Sequence, residues 1–215
     1  MNAIENNLPL KMARTSLEGI PAFALPAGFS LRWYQPGDEA HWRRIHLAAE
    51  RFVEITPELF RQQFGAGTKE RWRQPASAHE RQHRLNSRLL QERQCYLLDP
   101  CGDVIGTGTA WFGDVEGARW GRVHWMAILP EFQRRGLGQG LMTAICQRLR
   151  VLGHERAYLH TSAARIPAIR LYLKFGFTPV IRNAGEAAAW KEILGGLSSA
   201  QRSRHPTLRP EQAGE

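Results

Sequence analysis

The turn Gln133-Arg134-Arg135-Gly136-Leu137-Gly138 sets two guanidinium groups beside two glycines, a combination that suits a diphosphate. Glycine lets an anion approach backbone N–H groups closely, and arginine adds positive charge. Helix-end electrostatics contributes only roughly 0.3 to 1 kcal/mol per charge, rising to ~2 when partly buried, so several N–H bonds must add to it. The stretch Gly136-Leu137-Gly138-Gln139-Gly140-Leu141 lacks the third glycine of a dinucleotide loop, and no Gly-Lys-Ser or Gly-Lys-Thr follows. A Rossmann enzyme or P-loop NTPase is therefore disfavoured. Taken alone, the turn fits an anion cradle and an ordinary tight strand-to-helix turn equally well.

Two further side chains could move protons. His124 is the one strongly polar residue within Val123 to Leu129. Strict alternation places it on the face of Met126, pointing into a cleft as a candidate general base. An imidazole satisfied by hydrogen bonds inside a sheet fits as well. Tyr172 lies on an amphipathic stretch and, from its neighbours alone, reads as a core aromatic. His160 reads as structural, and Cys146 has no basic partner near in sequence that would make it a nucleophile.

These residues need a strand, a turn and a helix in succession. Val123 to Leu129 is apolar on both alternating faces, which predicts a central strand. Leu137, Leu141, Ile145 and Leu149 recur at helical spacing, with a stop at Gly153. Tyr158 to Thr161 predicts another strand, and Pro167 opens a helix through Leu171 and Tyr172 to Gly176. Phe177 to Ile181 returns as a strand, and Glu186 to Leu194 forms a closing helix.

Upstream, Ser30 to Tyr34 alternates as a strand, Asp38 caps a helix containing Trp42 and Ile45, and a second helix follows Thr56-Pro57. Residues 65 to 77 read as a loop before a basic helix from about residue 79 to 93. Cys95 to Asp99 pairs with Val104 to Phe112 as a hairpin, and residues 113 to 118 turn the chain again. Residues 1–28 read as an irregular N-terminal arm, 29–197 as one domain and 198–215 as a flexible tail.

The 215 residues suffice for a substantial core without staples. Three cysteines at wide spacing give neither a disulfide framework nor a metal motif, which indicates a reducing, cytoplasmic setting. No run has the roughly 20 apolar residues of a membrane span, and residues 1 to 14 lack a signal-peptide core. The net charge of +9, from 29 basic and 20 acidic side chains, favours polyanionic partners without choosing among them. The arginines between Arg61 and Arg93 read first as solvated helix faces.

The stretch Val123 to Gly138, ending in Gln133-Arg134-Arg135-Gly136-Leu137-Gly138, resembles the central signature of the GCN5-related N-acetyltransferase (GNAT) superfamily. Ala168-Ile169-Arg170-Leu171-Tyr172-Leu173-Lys174-Phe175-Gly176-Phe177 resembles a second segment of the same family. The likeness spans roughly residues 30 to 182. It implies an α/β fold with a mixed, mostly antiparallel central sheet whose central strands splay apart, flanked by helices on both faces.

The resemblance also implies acetyl-CoA as the acyl-donor cosubstrate and an amine acceptor, a small molecule or a peptide. Met126, Ala127 and Ile128 would line the pantetheine arm, with the Met126 N–H as donor to the thioester carbonyl. Gln133, Arg134, Arg135, Gly136, Leu137, Gly138 and Gln139 would hold the pyrophosphate. Arg165 stands where the family often has asparagine, and could reach a phosphate instead. Tyr172 matches the tyrosine near the coenzyme sulfur, and a phenol of pKa about 10 can protonate a thiolate whose acid has pKa about 8.5. His124 resembles the histidine of arylalkylamine-type members. Direct acetyl transfer to a primary amine is the leading reading, and an acyl-CoA-sensing or nucleic-acid-binding module on the same fold is the alternative. A homodimer is compatible with either.

Overall fold

The structure is a computed structural model and describes residue 4, residues 7–64 and residues 87–197. In chain order its elements are β1 (Pro9–Arg14), β2 (Ser30–Trp33), α1 (Glu39–Ala49), α2 (Pro57–Phe64), β3 (Gln94–Leu98), β4 (Val104–Val115) and β5 (Ala118–Ile128). A single 3-10 turn (Pro130–Phe132) precedes α3 (Leu137–Val151), β6 (Ala157–Ser162), α4 (Ile166–Lys174), β7 (Thr178–Val180) and α5 (Ala184–Gly195). Residues 87 to 93 are helical as well. The loop expected at 65–77, the first part of the basic helix and the tail at 198–215 lie outside the described residues. Among the described residues no helix is long and apolar enough to cross a membrane.

The chain divides into two compact units, Ala22–Glu155 and Met1–Pro21 with Arg156–Glu215. In the first, β2, β3, β4 and β5 pair in sequence order, every pair antiparallel. Helices cover both faces. Phe64 of α2 packs on Trp111 and His124 at ring separations of 5.6 and 5.5 Å. On the opposite face, Ile145 of α3 packs over Gly108, where an added Cβ would lie 2.4 Å from its Cδ1.

The β4–β5 hairpin is longer than its sequence pattern indicates. Glu116 and Gly117, both at positive φ (51° and 78°), make a two-residue turn whose twist matches the strands. The pairings Gly113↔Trp120 and Asp114↔Arg119 therefore replace the expected loop. Asp38 also departs from expectation, since its side chain makes no cap hydrogen bond. Its carboxylate instead accepts from both Nη atoms of Arg32 (2.6 and 2.7 Å) and from the Gln35 N–H (2.7 Å). Desolvation raises its pKa, but the Arg32 and Gln35 hydrogen bonds outweigh it and hold the carboxyl below its usual value.

In the second unit, β1 lies between β6 and β7 and pairs antiparallel with both. The expectation of an irregular arm over residues 1–28 is corrected at residues 9–14. Leu10 and Met12 are buried by alternation while Lys11 lies over the Tyr158 ring. Pro9 is tolerated because it begins the strand. Arg14 donates to the carbonyl of Phe175, and Gly176 (φ 74°) leaves room for that guanidinium. Asn183 caps α5 by accepting from the Glu186 N–H at 2.9 Å. The fold is mixed α/β, and every strand pairing within the two units is antiparallel.

Candidate active site

A register change in β5 organises the site. Thr107 pairs with Ala127 and Thr109 with His124, so β4 advances by two residues where β5 advances by three. Trp125 and Met126 together face Gly108, which makes a β-bulge. Trp125 sits at φ 45°, a left-handed conformation that costs a non-glycine residue about 1–3 kcal/mol. Packing fixes it there. The indole lies 5.1 Å from Trp42 and 4.9 Å from His46 between ring centroids, and its Nε1–H donates to Gln63 Oε1 at 2.9 Å. A bulge of this kind releases backbone groups from the ladder, which is what a peptide-like ligand lying along the strand requires.

The bulge corrects the expectation that His124 and Met126 share a face. His124 packs toward α2 against Phe64, whereas the Met126 side chain reaches toward the α3 side, with Cγ 3.5 Å from the position of a Gly108 Cβ. One inserted residue reverses the parity of everything beyond it. His124 is 5% exposed, among aromatic rings. No alternation signal could have revealed the bulge, because Trp125, Met126, Ala127 and Ile128 run apolar without a break after His124.

The turn forms as expected. Ile128 ends β5, the Gln133 Nε2–H donates to the Ile128 carbonyl at 2.8 Å, and Gly136 (φ 81°) begins α3 with no side-chain cap. The Gln133 side chain is thus committed to fastening the turn, and its backbone N–H donates to the Pro130 carbonyl at 3.2 Å, so both of its donors serve the turn itself. Arg135 donates to the Glu131 carbonyl at 3.0 Å and covers the Phe132 ring, while Arg134 (φ 61°) is exposed. Leu137 is buried and contributes only its N–H. The first turn of an α-helix has N–H groups without intrahelical acceptors. Nothing lies within 4 Å of where a Gly136 Cβ would stand. Uncapped N–H groups, a positive helix end and two exposed arginines fit a diphosphate. Gly140 secures this end of α3, since its missing Cβ admits Leu25, and the Phe23 N–H donates to Thr143 Oγ1 at 3.0 Å.

The model of the Acetyltransferase (GNAT) family matches residues 50–177, which contain the bulge, the turn and α4. The chain belongs to this family. Mycothiol acetyltransferase of Pseudarthrobacter chlorophenolicus is 33% identical over 172 residues, covering 78% of this chain and 48% of the relative. That of an Arthrobacter species is 31% identical over the same shares. The chain thus spans about half the length of the curated relatives it matches. Among solved structures, a GCN5-related N-acetyltransferase from Sphaerobacter thermophilus superposes with a TM-score of 0.50 at 21% identity, over 80% of this chain and 48% of the other. The ribosomal-protein-S18-alanine N-acetyltransferase of Escherichia coli gives 0.50 at 18% identity, over 71% and 79%. At such identities the likeness concerns the fold.

Within this GNAT chain the candidate groups divide between the two units. The bulge, His124 and the turn belong to Ala22–Glu155, whereas Tyr172 and Arg165 belong to the other unit, on and just before α4. Burial pushes the Tyr172 phenol up from its ordinary value, and the nearby Arg165 charge pulls it partly back. Arg165 Nε donates to Ser162 Oγ at 3.1 Å, which ties its guanidinium to the end of β6. Cys95 is fully buried with its thiol pushed up to about 12, too high for thiolate chemistry at neutral pH.

Proposed function

We propose that this GNAT protein is an acetyl-CoA-dependent N-acetyltransferase that passes the acetyl group directly to a primary amine of a small molecule. The observation that carries the reading is the continuous run from the Trp125–Met126 bulge to the uncapped start of α3 at Gly136. It offers freed strand backbone and an anion-binding helix end at the two positions that an acyl thioester and its diphosphate require. In this reading the N–H groups from Arg134 to Gly138 hold the diphosphate, the Gln139 N–H being given to the Gly136 carbonyl at 3.0 Å, and Met126, Ala127 and Ile128 present backbone to the pantetheine. The Met126 N–H donates to the thioester carbonyl oxygen, where charge develops during attack. Tyr172 supplies the proton to the departing thiolate, its raised pKa keeping the phenol protonated through neutral pH. His124 takes the proton from the attacking amine, from the α2 side of the bulge. Arg165 steadies negative charge near Tyr172.

The relatives named mycothiol acetyltransferase favour a small acceptor over a protein one. Release of free thiol from acetyl-CoA, followed with a panel of small amines and peptides, tests the proposal. Turnover with at least one small amine, lost in Tyr172→Phe, supports it. Tight acetyl-CoA binding without turnover for any amine would replace the enzyme by a sensor.

A further inference from the structure

At the far end of α3 from the turn, three arginines gather, with Asp114 opposite Arg119 in the hairpin and Glu92 beside Arg93. Arg93 and Arg119 both lie over the Phe112 ring, with Cζ 4.7 and 4.5 Å from its centroid. Arg93 Nη1 is 3.4 Å from His154 Nε2 and donates to the Ala110 carbonyl at 3.1 Å. Arg148, on α3, donates to the Glu92 carbonyl beside Arg93 and covers the Trp33 ring at 4.8 Å. Among the described residues no carboxylate forms an ion pair with Arg93, Arg119 or Arg148, and Glu92 pairs with Arg88 at 3.6 Å.

Like charges held together disfavour one another. Burial pushes the Arg93 guanidinium down, and although Glu92 opposes this, Arg119 and Arg148 add to the fall. His154 is likewise pushed down, first by burial and then by Arg93 and Arg119, which keeps its imidazole neutral. The aromatic rings fix the guanidinium planes by cation–π contact, so the forks are ordered before any anion arrives.

We propose that Arg93 and Arg119, stacked on Phe112 beside His154, and Arg148, held at the Glu92 carbonyl next to Arg93, form a binding site for a small phosphate-bearing anion. The site is separate from the turn at residues 133–138. Arg148 lies eleven residues along α3 from Leu137, which at 1.5 Å per residue is ~16 Å, and His154 lies beyond the end of the helix. Phosphate matches the cluster because planar forks bind its oxygens in pairs and its double negative charge offsets more than one arginine.

The test uses the whole chain and inorganic pyrophosphate as the probe, read at His154, which lies beyond the end of α3 opposite the turn. The readout is the imidazole NMR signals of His154. A saturable shift is expected, with the apparent Kd raised ~tenfold in Arg119→Gln and in Arg148→Gln, a loss typical of one charge-assisted contact. Arg119 is exposed, so its substitution leaves folding intact, which circular dichroism checks. Absence of any His154 shift, or equal affinity in both variants and the parent, overturns the proposal. So does a shift produced by single-stranded RNA but not by pyrophosphate.

Discussion

Replacing Gly108 with alanine tests whether the bulge and α3 are packed as one unit. The new Cβ would stand 2.4 Å from Ile145 Cδ1, closer than side-chain atoms approach, but 3.4 Å from Ile145 Cγ1 and 3.5 Å from Met126 Cγ, which are ordinary contacts. One methyl group therefore carries the whole conflict. Because Ile145 is 1% exposed, it has no free space to turn into, and an overpacked core substitution of this kind costs about 1–3 kcal/mol. The offending atom is the tip of a side chain rather than backbone, so we expect the lower half of that range. A loss of 1–2 kcal/mol lowers Tm by roughly 2–8 °C for a chain of this size. Ile145→Val removes Cδ1 and alone costs about 0.5–1.5 kcal/mol. In the double variant the clash is gone, so the combined loss should fall short of the sum by about 1 kcal/mol. Urea unfolding of the four proteins measures this coupling. Additivity within about 0.5 kcal/mol would refute the packing, and with it the placement of Met126 on the α3 face.

Gly138→Val should weaken acetyl-CoA binding in calorimetry far more than it lowers Tm, since a side chain there crowds the diphosphate; unchanged affinity would remove the turn from the site. Tyr172→Phe should lower kcat by about 10²-fold or more, with the alkaline limb of the parent's rate profile lying above pH 10 because burial raises the phenol's pKa. His124→Ala should remove the acidic limb, and a profile that keeps it would discard His124 as the base. Asp38→Asn should cost about 1.5–3 kcal/mol in urea unfolding, the range for hydrogen bonds to a charged group, because Arg32, itself 25% exposed, loses its charged partner. His154 has a folded pKa below its free value of 6.5, so the unfolded chain binds the extra proton. Stability is therefore complete above about pH 6.5 and declines as pH falls from there towards the folded pKa, with a smaller slope in His154→Gln.

The sequence by itself determined the segment that carries the candidate site. Two apolar faces on Val123 to Leu129, the glycines of the turn and the 3.6-residue period after Leu137 are local properties, so β5, the turn and α3 were legible in order. The αL conformations of Gly136, Gly153 and Gly176 follow from the same local chemistry. Tertiary structure decided what depends on partners distant in the chain. Pro9–Arg14 opens on a proline and alternates only over Leu10-Lys11-Met12, which does not announce a strand, and β6 and β7 supply the hydrogen bonds on both edges. Asp38 offers a cap by type, yet Arg32 across the turn claims its carboxylate. The bulge at Trp125–Met126 is the deepest case. A residue in an unfavourable backbone conformation persists only where Trp42, His46 and Gln63 hold its side chain, and those lie on two helices more than sixty residues upstream. Hydrophobic pattern fixes which residues are buried, but the pairing register, and so the side of the sheet on which His124 and Met126 emerge, is set by packing across that distance.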